Sequence, residues 1–83
     1  MLIFSNLVIK LLHENKMCNP SEKSDVEYDT PEDCGEYCSA AGKEWFFYFM
    51  ELCYCVTDHN TCQLIDNDHY DVYEIQKNQG TFF

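Results

Sequence analysis

The stretch that decides the fold is Thr30–Cys55, TPEDCGEYCSAAGKEWFFYFMELCYC. Thr30 is an N-cap residue, Pro31 suits the first helical position, Glu32 and Asp33 fill the first turn, and Gly42 supplies a stop. That pattern predicts a helix over Pro31–Ala41. The aromatic run Trp45–Phe49 has strand length and strand propensity, and a turn near Met50–Leu52 leads into a second short run, Cys53–Val56, so a hairpin is expected. Cys34 and Cys38 are i, i+4 and project from one helix face about 6 Å apart along its axis. Cys53 and Cys55 are i, i+2 and share one strand face about 6.6 Å apart. The two spacings match, which predicts a helix and a strand riveted by two neighbouring disulfide rungs.

Working outward, Asn15–Tyr28 (NKMCNPSEKSDVEY) is polar and reads as a loop carrying Cys18, with a short strand at Val26–Tyr28. Before it, Leu2–Leu12 (LIFSNLVIKLL) is the longest aliphatic run, far short of the roughly 20 residues that span a bilayer. Phe4, Leu7, Val8, Leu11 and Leu12 recur at i, i+3, i+4, i+7 and i+8, so an amphipathic helix packed on the domain's own core is the first expectation. A signal-peptide remnant is the lesser one, because Lys10 interrupts the run and no small-x-small cleavage site precedes Cys18. Towards the C-terminus, Thr57–Thr61 and Asp66–His69 read as turns, Cys62–Ile65 and Tyr70–Gln76 as strands, and Lys77–Phe83 as a tail. The fold class expected is α+β: a small disulfide-rich domain with one central helix on a curved antiparallel sheet. Its parts are an N-terminal amphipathic segment over residues 1–17, the domain over 18–76 and a tail over 77–83.

Composition narrows the function classes. Eighty-three residues make one small domain, since a chain this short buries only about 60% of its unfolded surface. A hydrophobic share of 46%, with 16% aromatic residues, is that of a folding chain. Fifteen acidic residues against five lysines give a formal charge of -10, a field that repels phosphate backbones and anionic lipid and so argues against nucleic acid as a partner. Six cysteines at this length imply a disulfide framework and an extracellular or luminal setting. Sequence leaves the connectivity open; the pairing expected is Cys34 with Cys55, Cys38 with Cys53, and Cys18 with Cys62. The rival is a zinc site drawn from Cys53, Cys55, Cys62 and His59 or His69, but a CxC followed by a distant cysteine fits none of the common zinc spacings. Asp66 and Asp68 lack the glycine and glutamate of a calcium loop. No cofactor or metal is expected.

The TPEDC opening with its CxxxC, the WFFYF strand, the CYC strand, Cys62 and the closing DNDHYDVYEI together resemble the PAN/apple domain superfamily, over about Cys18–Gln76. The resemblance implies a single helix cradled by a curved antiparallel sheet with nested disulfides, and an extracellular, non-catalytic module that binds proteins or carbohydrates, often inside a larger multidomain parent. The chain departs from coagulation-type apple domains in the closeness of Cys53 to Cys55, and the N-terminal segment has no counterpart there.

Catalysis is not expected, because His13, His59 and His69 are scattered and no GxSxG or HExxH pattern is present. Size and cysteine count also fit a small secreted toxin or protease inhibitor, although the aromatic strands and the acidity suit such scaffolds poorly. The residues that carry recognition chemistry are Tyr48, Tyr54, Tyr70 and Tyr73, each with an apolar body and a hydrogen-bonding tip suited to a sugar or a protein surface. Half or more of them are expected in the core.

Overall fold

The computed structural model describes residues 7–77. Strand β1 (Leu7–His13) is followed by β2 (Lys16–Asn19), β3 (Ser21–Lys23), helix α1 (Pro31–Ala40), β4 (Trp45–Phe49) and β5 (Leu52–Val56). A single 3-10 turn (His59–Thr61) then leads to β6 (Gln63–Asp66) and β7 (Asp71–Lys77). Five strands form one antiparallel sheet in the order β1-β7-β4-β5-β3, and β2 and β6 form a separate two-stranded ribbon. The molecule is therefore α+β, with α1 on one face of the sheet and the ribbon against the other.

Both faces of the sheet are covered, and this explains the unbroken aromatic run. Strand alternation sends Phe46 and Phe47 to opposite sides, and both are fully buried. Phe46 joins Cys34, Cys38, Cys53 and Cys55 under the helix. Phe47 joins Cys18, Val56 and Val72 beneath the ribbon. A strand buried on both faces has no polar side to alternate with, so it reads as continuous hydrophobicity.

Helix α1 is capped as its sequence demands. The Thr30 side chain accepts from the Asp33 amide at 3.1 Å. At the other end Gly42 takes φ 82°, its amide donates to the Ser39 carbonyl and that of Lys43 to the Cys38 carbonyl, a Schellman ending that satisfies the orphan carbonyls. Gly35 lies where the helix meets the sheet: a methyl built there would stand 3.1 Å from Phe46 Cε1 and 3.3 Å from Ile9 Cδ1.

Two expectations about the N-terminal third are corrected. Leu7–His13 is not helix but an edge strand paired antiparallel to β7, with Leu7 opposite Lys77 and Leu11 opposite Tyr73. Leu7, Val8, Leu11 and Leu12 satisfy a helical spacing, yet the same run also alternates, with Ile9 packing on the helix side and Leu12 on the ribbon side. A short apolar run served by partners on both faces carries no decisive period. The part of that expectation covering residues 2–6 lies outside the described residues, as does the tail from residue 78 onward. The loop expected over Asn15–Tyr28 contains β2 and β3, whereas Val26–Tyr28 is not a strand and its Val26 is exposed.

Candidate functional site

The cysteines lie where the helix and β5 face each other. Cys34 bridges Cys53, with Cα atoms 5.5 Å apart, and Cys38 bridges Cys55, at 5.4 Å. Cys18 bridges Cys62, the expected pair, tying the ribbon together. The two helix rungs reverse the expected partners, and chain direction is the reason. The connection of residues 41–44 is so short that β4 must run back along the helix, and the tight turn at Met50 and Glu51 then returns β5 parallel to it. The first cysteine of the helix therefore meets the first of the strand. The rungs are close neighbours, with Cys38 Sγ 3.9 Å from Cys53 Sγ. Sulfurs so bridged carry no thiolate for a metal. The residues of the expected zinc rival are dispersed as well: Cys53 and Cys55 pack under the helix, Cys62 lies on the ribbon side, and His59 and His69 lie against Trp45 and Phe49.

The four singled-out tyrosines do not form one surface. Tyr48 and Tyr73 lie on the helix side. The Tyr48 hydroxyl donates to the Tyr28 carbonyl at 2.5 Å, and the Tyr73 ring stacks on Phe46 at 5.2 Å. Burial pushes the Tyr73 phenol above its ordinary range, reinforced by the carboxylates of Asp71 and Glu32. Both are half-buried and packed against the core on that side.

Tyr54 and Tyr70 lie on the ribbon side and build something else. Tyr54 stacks on Phe47 at 4.9 Å with the planes 8° apart, and Tyr70 stands edge-on to both, 5.2 Å from Phe47 and 5.7 Å from Tyr54. Burial, with the Tyr54 phenol beside it, raises the Tyr70 pKa. Phe49 continues the row, 5.7 Å from Tyr70, and the exposed His69 ring stacks on it at 4.8 Å. Tyr54, Tyr70 and Phe49 are half-buried, so this aromatic row reaches solvent along its outer side. Phe49 and His69 were missed as site residues because only the register of β4 against β7, with Tyr48 opposite Asp71, brings Phe49 beside Tyr70, and the Asn67–His69 turn sets the His69 ring on Phe49.

All three histidines lie beside aromatic rings. His13 and His59 flank Trp45 at 6.2 and 5.4 Å, and His59 Nε2 also lies 3.6 Å from Glu44 Oε1. A half-open hollow of about 300 Å³ at the end of the helix is lined by Ser39, Gly42, Lys43, Glu44 and Ile75, and none of the four tyrosines lines it. None of the described helices is long and apolar enough to cross a membrane. No protein-family model matches the chain, and neither a curated protein nor a solved structure matches it.

Proposed function

We propose that this protein is an extracellular, non-catalytic binding module that recognises a protein or carbohydrate ligand, with three disulfides holding its binding surface in shape. The observation that carries the reading is the aromatic row Tyr54, Tyr70, Phe49 and His69, half-exposed on a sheet that the two helix rungs fix from the other side. Aromatic rings with phenol tips offer stacking area and hydrogen bonds together, at the cost of few rotatable bonds. The resemblance to PAN/apple modules points the same way, and so does the three-bridge framework typical of secreted domains. The position of each histidine beside an aromatic ring suits a packing and stacking role better than that of a base set against a nucleophile.

The test is binding of the intact, oxidised chain to a printed glycan array and to an array of extracellular proteins. Tyr54→Ala with Tyr70→Ala should reduce binding to the best ligand about tenfold or more, the scale expected for truncated aromatic anchors. Thermal melting checks that the variant still folds. A double variant that melts cooperatively and binds like the parent would refute the aromatic row as the recognition surface.

A further inference from the structure

The end of the sheet where β4 turns into β5 carries features that the fold alone does not require. A two-residue hairpin turn with left-handed backbone favours asparagine and glycine. Here the positions are held by Met50 at φ 47° and Glu51 at φ 71°. Met50 is also the most exposed of the large apolar residues described, at 73%. Left-handed backbone costs a side-chain-bearing residue roughly 1 kcal/mol, so neither conformation nor solvation explains a methionine at this position.

The tip is nevertheless held firmly. The Tyr28 amide donates to the Glu51 carbonyl at 3.1 Å, and the Tyr48 hydroxyl bonds the Tyr28 carbonyl in turn. Met50 therefore projects from a preorganised edge, next to Phe49 at the end of the aromatic row. Its surroundings are acidic: Glu51 in the turn, Glu27 and Asp29 on either side of Tyr28, and Asp68 beside the His69 ring that stacks on Phe49, all four exposed. Of the described lysines on this side, Lys16 is paired with Asp66, and Lys23, opposite Tyr54 in the β3–β5 pair, is exposed, which leaves the four carboxylates in excess.

We propose that this tip is a docking surface for a basic protein, with Met50 entering an apolar pocket ringed by lysine or arginine. This rests on the binding-module reading and names the place and the partner chemistry. A protein pocket fits the chemistry better than a sugar does, because a flexible thioether fills irregular apolar gaps and makes none of the stacking or hydroxyl contacts a sugar uses. The acidic rim selects a cationic surround, speeds encounter with it, and opposes an anionic bilayer.

The experiment uses the oxidised chain on arrays of short peptides mixing leucine and phenylalanine with lysine and arginine, beside matched arrays in which glutamate replaces the cations. Three proteins are compared: the parent, Met50→Leu and Met50→Asn. Asparagine tolerates left-handed backbone, so M50N keeps the turn while removing the apolar anchor. The parent should bind the basic array and not the acidic one, more weakly as salt rises. M50L should stay close to the parent, and M50N should lose about tenfold with an unchanged melting profile. Equal binding by M50N and the parent, or equal retention on both arrays, overturns the proposal. Ligands found only on the glycan array overturn the tip proposal but leave the binding-module reading standing, whereas silence on every array sinks both.

Discussion

At the scale of single residues, close contacts at the helix and sheet boundary carry consequences the helix itself would not suggest. Alanine in place of a mid-helix glycine ordinarily stabilises by up to about 1 kcal/mol. At Gly35 the added methyl would press on Phe46, which is fully buried and stacked on Tyr73, and on Ile9. The Ile9 contact is the tip of a half-buried side chain, whereas the Phe46 ring is fully enclosed and gives less easily, and overpacking a tight site costs about 1 to 3 kcal/mol. Gly35→Ala is therefore expected to lower stability by about 1 kcal/mol in urea unfolding. A more stable variant would mean that Phe46 is not held where the structure has it. Nothing in the sequence flags Gly35, because its role arises from the approach of β1 and β4, which local propensity does not encode.

At the scale of elements, what was legible follows from how local each signal is. The helix at Pro31–Ala40, its Thr30 cap and its Gly42 stop were readable because every determinant lies within a few residues of the others. The β4–β5 hairpin was readable for the same reason. Strand β1 was not, since Val8 and Ile9 sit in a run that fits two periods, and only the neighbouring β7 decides between them. The bridge partners fall between these cases. The short link after Gly42 and the two-residue turn already dictate that β5 runs parallel to the helix, so the pairing Cys34 with Cys53 was implicit in loop length. The tyrosines divided by strand parity, Tyr54 on the ribbon side and Tyr48 on the helix side, a partition that a residue-type argument overlooks. The rungs should dominate the cap energetically. Replacing both Cys38 and Cys55 by alanine is expected to cost roughly 2 to 5 kcal/mol, as for a native bridge in a small domain, against about 1 kcal/mol for Thr30→Ala. Denaturant melts followed by far-ultraviolet dichroism measure both, and a cap variant more damaging than the bridge variant would contradict the role given to the rungs.

At the scale of the whole molecule, three layers are held by covalent ties at different depths. The helix is strapped to the sheet by the two rungs, and the β2–β6 ribbon closes the far face with Cys18 and Cys62. Each bridge contributes about 2 to 4 kcal/mol by constraining the unfolded chain, so together they rival the 5 to 15 kcal/mol net stability of a typical domain. A sheet fixed from both sides can leave its aromatic row and its Met50 tip open to solvent without losing shape. The order of the rungs is thus the central structural claim, and peptide mapping of the unreduced protein tests it most directly. Pepsin digestion in acid, where thiolate exchange is suppressed, cleaves near Tyr37 and Tyr54 and so separates Cys34 from Cys38 and Cys53 from Cys55. Mass spectrometry should then find a peptide of Cys34 joined to one of Cys53, and a peptide of Cys38 joined to one of Cys55. Peptides joining Cys34 to Cys55, or Cys38 to Cys53, would contradict the parallel alignment of helix and strand on which the account rests.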